Sequence, residues 1–189
     1  HPKLKIASIF SHLAAAEDPN EDDFTRGQIA LFDRMSSYLI SQFDYPILRH
    51  ILNSAGISRF PEAQYNMVRL GIGLYGFSAV PQDQAQLQNT VTLRTVVTQV
   101  KTIPANETIG YNRSYKTLKD SKIAIIPIGY ADGYPRELGN GIGQVSIAGR
   151  LVPIVGKICM DMCMVDVTGL EVKEGDEVIV YGDANPLDK

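Results

Sequence analysis

At 189 residues, 44% of them hydrophobic, the chain has room for one large domain or two small ones with packed cores. A net charge of -3 and the absence of a basic cluster speak against a nucleic-acid surface. No apolar run approaches the ~18 residues of a membrane span, and no leader with an apolar core is legible in the first residues.

The first predicted element is a short buried strand over 6–10, followed by Ser11-His12-Leu13-Ala14 and an acidic loop over 17–23. The period then changes. Phe24, Leu31, Met35, Leu39 and Phe43 recur at helical spacing, and Asn20 or Asp22 is placed to cap the helix. A second strand over 47–52 leads into Asn53-Ser54-Ala55-Gly56, and a third over 67–70 leads into Gly71-Ile72-Gly73. Strand, long helix, strand predicts a βαβ unit of a parallel sheet or barrel. The polar residues follow the strands, on what would be the C-terminal rim where α/β barrels build active sites.

A glutamine-rich stretch over 77–89, with Pro81, marks the domain boundary, so the reading is an α/β domain over 1–80 and a β domain over 81–189. Beyond it the pattern is all β. Strands are predicted within 90–103 and over 122–128, 144–147, 151–155, 157–167 and 177–181, with Ala148-Gly149-Arg150 as a hairpin turn. Several short strands at close spacing predict a small barrel or sandwich. Cys159 and Cys163 would share one face of a strand about 13 Å apart, too far for a disulfide. Reduced thiols and a cytoplasmic protein are the expectation.

Ser54 after one strand and Gly71-Ile72-Gly73 after another supply a hydroxyl and close-approaching backbone N–H groups, which a phosphate needs. Ordinary loops use the same residues. His12 follows a strand and is a possible hydrogen-bond partner for a reacting group, or a structural histidine of the rim. His50 lies within a strand and reads as packed core. Together with His1 these histidines have no carboxylates at metal-ligand spacing, and no metal site is predicted. Tyr111, in Ile-Gly-Tyr-Asn-Arg-Ser-Tyr over 109–115, is either a strand tyrosine or a base. As a base near neutral pH it would need its pKa lowered by roughly 3 units, from about 10, by positive charge or hydrogen bonds. Tyr130 in Gly-Tyr-Ala-Asp-Gly reads as a turn, and Asp161, after Met160 in Cys-Met-Asp-Met-Cys, is either a buried, paired carboxylate or a surface strand residue.

Taken together, the blocks Ser11-His12-Leu13-Ala14, Asn53-Ser54-Ala55-Gly56, Arg69-Leu70-Gly71-Ile72 to Leu74-Tyr75-Gly76, Gly110-Tyr111, Gly129-Tyr130-Ala131-Asp132-Gly133 and Cys159-Met160-Asp161 occur in the order seen in alanine racemases. The chain resembles that family over nearly its whole length. The resemblance implies part of a pyridoxal-phosphate-binding (β/α)8 barrel followed by a small β-barrel domain. It implies interconversion of L-alanine and D-alanine through an aldimine of pyridoxal phosphate, supplying D-alanine for peptidoglycan. It also implies a cytoplasmic homodimer whose active site is shared between subunits.

Carried over by residue, the resemblance makes Tyr111 the base for L-alanine, acting in the partner's site. His12 would hydrogen-bond that tyrosine, and Arg69 would hydrogen-bond His12 and face the pyridine nitrogen. Ser54, Gly71 and Ile72 would hold the phosphate, with Asn53 beside them. Met160 would bind the substrate carboxylate through its N–H, with Tyr130 and Asp161 at the mouth of the site. The family's cofactor lysine stands in an Ala-Tyr-Gly-His-Gly neighbourhood absent here, so the expectation is a fragment that does not racemise alanine alone. Two other readings compete: a non-catalytic β-barrel binding module, and another pyridoxal phosphate barrel enzyme such as a serine racemase or amino-acid decarboxylase.

Overall fold

The helical spacing over 24–43 folds as α1, Asp22–Ile40. The computed structural model describes residues 3–185, so His1 lies outside the described residues. The chain divides into two compact units, His1–Thr90 and Val91–Lys189.

In the first unit, β1 (Ser8–Phe10) and β2 (Leu48–His50) pair in parallel, with Phe10 opposite His50, and α1 is the crossover between them. The stretch 66–69 lies along β2 in the same direction, through Asn66 N–H to the Arg49 carbonyl at 3.1 Å and Arg69 N–H to the Leu52 carbonyl at 3.0 Å. It does not form the regular third strand predicted over 67–70. The Asn66 side-chain oxygen takes the Arg49 N–H at 2.9 Å, where a ladder needs a backbone carbonyl. Asn53-Ser54 opens α2, Ser54–Arg59, rather than a loop, because the Asn53 side chain caps it by accepting from Gly56 N–H at 3.0 Å. A short helix, α3 (Pro81–Gln84), occupies the glutamine-rich stretch.

Two details of α1 differ from expectation. Neither Asn20 nor Asp22 caps it. Asp18 caps a preceding 3-10 turn, Pro19–Glu21, and α1 follows directly, leaving Asp22 free to pair with Arg59 at 2.5 Å. The stripe that revealed the helix is also not its covered face. Phe24, Leu31, Met35 and Leu39 remain exposed, whereas Thr25, Phe32 and Ser36 are buried. The helix carries two stripes, and only the second is covered. That packing joins Phe32 to Leu13, Ile51, Leu52 and Phe60 in one core.

Among its described residues the second unit has nine strands: β3 (Leu93–Val96), β4 (Gln99–Ile103), β5 (Thr108–Ile109), β6 (Tyr115–Lys116), β7 (Ser121–Ile126), β8 (Gln144–Ile147), β9 (Arg150–Val155), β10 (Cys163–Asp166) and β11 (Glu177–Tyr181). Seven pair antiparallel in the order β3-β11-β8-β9-β10-β7-β4. The two ends of that order, β3 and β4, are consecutive in the chain. One long segment over 93–103 therefore pairs with β11 in its first half and β7 in its second, which closes a barrel. Alternate residues fill it, among them Val145, Ile147, Ile154, Val165, Val178 and Val180. Each aliphatic side chain buried there contributes about 1.5–3 kcal/mol. The β8–β9 hairpin turns on Ala148 and Gly149, with Ile147 opposite Arg150.

The strand predicted over 157–167 is shorter. Residues 159–162 form a turn in which Cys159 N–H donates to the Met162 carbonyl at 2.9 Å, and the ladder begins only at Cys163. The two cysteines are thus not on one strand, and the spacing argument against their pairing loses its premise. Both are free thiols.

Candidate active site

The first unit gathers the end of β1, the start of α2 and the turn after residue 70. They line a cleft of about 460 Å³ that includes His12, Asn53, Ser54, Arg69, Gly71 and Ile72. That volume suits a small ligand. The grouping follows from parallel extended segments, whose C-terminal ends all fall on one side.

Within the cleft the Ser54 hydroxyl accepts two backbone N–H groups, from Gly71 at 2.9 Å and Gly73 at 3.2 Å. Among the described residues, the N–H groups of Ser54 and Ile72 have no acceptor. The result is a cluster of converging donors around one hydroxyl, which favours a bound anion. Asn53 turns its side-chain oxygen inward to cap α2.

The Arg69 guanidinium is the cationic centre. One terminal nitrogen donates to His50 Nδ1 at 2.6 Å, and the other to the Ser11 carbonyl at 2.7 Å. The second nitrogen also lies 3.3 Å from His12 Nδ1, so Arg69 joins the two histidines. His12 is exposed and His50 is buried. Burial, and then the Arg69 charge, lower the His50 pKa from its ordinary 6.5. No group of three His, Cys, Asp or Glu that could hold a metal occurs among the described residues.

In the second unit, Tyr111 sits on the turn between β5 and β6. Gly110, Asn112 and Arg113 all have positive φ there, at 77°, 61° and 53°. The turn lifts the tyrosine outward, 69% exposed, and its hydroxyl meets no partner among the described residues. The 129–133 turn packs against 159–160. Tyr130 N–H donates to the Cys159 carbonyl at 3.0 Å, and Ala131 N–H to the Met160 carbonyl at 2.9 Å. Gly129 permits this approach, because a Cβ there would fall 2.3 Å from the Met160 carbonyl oxygen. The same contact holds 159–162 away from the β10 ladder. The Met160 N–H is left without an acceptor among the described residues, and Tyr130 and Asp161 are exposed beside it. Arg136 covers the Tyr130 ring, its guanidinium carbon 5.3 Å from the centroid.

Sequence reasoning placed His50 in the core and missed its contact with Arg69. The only signal was that both histidines lie at or just past the ends of adjacent parallel strands, His50 as the last residue of β2 and His12 two residues beyond β1.

The residues present suit a phosphate ester of a heteroaromatic ring. Such a ligand needs an anion cradle and a cation near a ring, and this cleft has Ser54 with glycine N–H groups and Arg69. The family model described as "Alanine racemase, C-terminal domain" matches residues 90–189, and "Alanine racemase, N-terminal domain" matches residues 1–79. An alanine racemase of Clostridium novyi is 41% identical over 189 residues, covering 97% of this chain and 48% of that protein. One from Methanococcus maripaludis is 43% identical over 187 residues, covering 95% and 48%. The chain thus spans about half the length of the curated relatives it matches. Among solved structures, the alanine racemase of Bartonella henselae with covalently bound pyridoxal phosphate has a TM-score of 0.81 at 36% identity, covering all of this chain and 51% of that one. That of Streptomyces coelicolor has a TM-score of 0.84 at 30% identity, covering 96% and 49%.

Proposed function

Because this chain belongs to the alanine racemase family, as part of its α/β barrel followed by its β domain, we propose that it is part of a pyridoxal phosphate enzyme that interconverts L-alanine and D-alanine. The observation that carries the reading is the cleft where Arg69, His12 and the Ser54–Gly71–Gly73 cluster meet. Pyridoxal phosphate, when bound, supplies the electron sink that lets an α-proton leave.

Ser54 and the N–H groups of Gly71 and Ile72 would hold the phosphate, the Gly71 N–H exchanging its bond to the Ser54 hydroxyl for one to the anion, and Asn53 shapes the cradle by capping α2. Arg69 would hold the ring-nitrogen side of the cofactor and, as a group that stays charged, would donate a hydrogen bond there without giving up its proton. No lysine among the described residues lines the cleft, so the lysine that binds the cofactor is expected elsewhere in the whole protein. Tyr111 takes the α-proton of L-alanine in a partner subunit's site, with His12 hydrogen-bonding its hydroxyl. The Met160 N–H receives the substrate carboxylate, and Tyr130 and Asp161 border the opening. One base on each face of the substrate makes the reaction a racemisation. The enzyme works as a cytoplasmic homodimer, and its D-alanine goes to peptidoglycan.

The test is Tyr111→Phe in the complete protein, read as α-proton exchange of each alanine enantiomer in D2O. Exchange from L-alanine is expected to fall on the order of 100-fold or more, and exchange from D-alanine far less. Undiminished exchange from L-alanine would remove Tyr111 as its base. A wild-type protein that exchanges neither enantiomer would point to the non-catalytic module.

A further inference from the structure

Among the described residues, Arg69 is held by backbone carbonyls and imidazole nitrogens and by no carboxylate. Its partners are His50 Nδ1 at 2.6 Å, the Ser11 carbonyl at 2.7 Å, the Ile51 carbonyl and His12 Nδ1 at 3.3 Å each, and the His50 carbonyl at 3.4 Å. It takes part in none of the four side-chain ion pairs among the described residues. An arginine at a ligand cleft is commonly fixed by a carboxylate, which gives strong bidentate bonds but cancels the charge. Here the charge is fixed and left uncancelled.

The shortest of these bonds goes to His50, whose place is set by the sheet. Phe10 and His50 are opposite each other in the parallel register, and their rings stack at 5.3 Å and 6°. The Arg69 guanidinium carbon lies 5.4 Å from the centroid of the same Phe10 ring. Phe10 thus touches both partners, and His50 is 6% exposed, with little room to turn. Because Arg69 can only donate, His50 Nδ1 must accept, so the imidazole is neutral and carries its proton on Nε2. Protonating Nδ1 would break the bond and set a second cation against the first.

We propose that His50 is a positioning residue: a neutral, buried imidazole that fixes the Arg69 guanidinium in the cleft without neutralising it. This rests on the racemase reading for what Arg69 faces, but the anchoring itself does not. A charge held this way stays available to a ligand in the cleft, whereas a carboxylate in the place of His50 would pair with Arg69 and cancel that charge.

The experiment has two arms, both in the complete protein. The first, without cofactor, uses 15N NMR of the histidine and arginine side chains. His50 is expected to show an unprotonated Nδ1 and a protonated Nε2, and Arg69 terminal N–H signals protected from exchange. His50→Leu should lose that protection. A protonated His50 Nδ1 in the wild type would overturn the proposal outright. The second arm compares turnover. His50→Leu is expected to lower kcat on the order of tenfold or more with KM little changed, and His50→Gln, which restores an acceptor oxygen, to recover most of it. Equal kcat in His50→Leu and wild type would overturn the proposal, as would equal losses in the two variants. If His50→Leu fails to fold, the wild-type NMR pattern and His50→Gln still decide. A wild-type protein with the expected NMR pattern and no racemisation would support the anchor and sink the racemase reading.

Discussion

Cys163 and Tyr134 show how packing sets the chemistry of a single residue. The Cys163 thiol is wholly buried in the barrel, and burial, then the neighbouring Cys159, push its pKa up to about 12 from 9.0. Burial, then Cys163, raise Tyr134 to about 12 from 10.0. In both, the folded state holds a proton that the unfolded chain gives up earlier. Their contribution to stability is therefore complete below pH 9 and is lost as pH rises towards 12. Each group adds a slope of at most about 1.4 kcal/mol per pH unit in that window. Denaturant unfolding across pH 8–11 is expected to show this fall, and Cys163→Val to flatten it. A stability that stays level to pH 11 would contradict the assignment. The motif Cys-Met-Asp-Met-Cys gave no hint that only its second thiol is fully buried. The difference comes from where the ladder starts, at Cys163 and not at Cys159.

The β8–β9 hairpin was legible because a two-residue turn between alternating apolar runs needs left-handed backbone, and glycine supplies it. Ala148 at φ 51° and Gly149 at φ 72° both adopt that conformation. For alanine it costs roughly 1 kcal/mol. Ala148→Asn, which completes the favoured Asn-Gly turn, is expected to raise the melting temperature by about 4 °C if that cost is fully relieved. An unchanged or lower melting temperature would show that the turn is not strained at Ala148. The segment 66–69 shows the opposite limit. Its apolar pattern predicted a strand, and it does run beside β2, but Asn66 spends its side chain on the Arg49 N–H. A local pattern reports the extended backbone and is silent on which group fills each hydrogen bond. The same limit explains α1, whose period was read correctly from residues that turned out to lie on its exposed side.

At the scale of the molecule, the cleft of the first unit presents an anion cradle and a fixed cation but, among the described residues, no lysine. With added pyridoxal phosphate, the 189-residue chain alone is expected to exchange the α-proton of alanine no faster than free cofactor does. Exchange clearly above that background would mean that a lysine of this chain reaches the cofactor. By itself, the sequence determined the kinds of element, the division into an α/β and a β part, and the motif blocks that lie beside the cleft and the turns. These are carried by period, by turn residues and by short spans of chain, all of which act locally. The tertiary structure alone decided which stripe of α1 is covered, that β3 and β4 form one segment closing the barrel, and that His50 faces Arg69 from β2. Those outcomes depend on groups brought together from distant parts of the chain, where register and packing select among partners that the local pattern leaves equal.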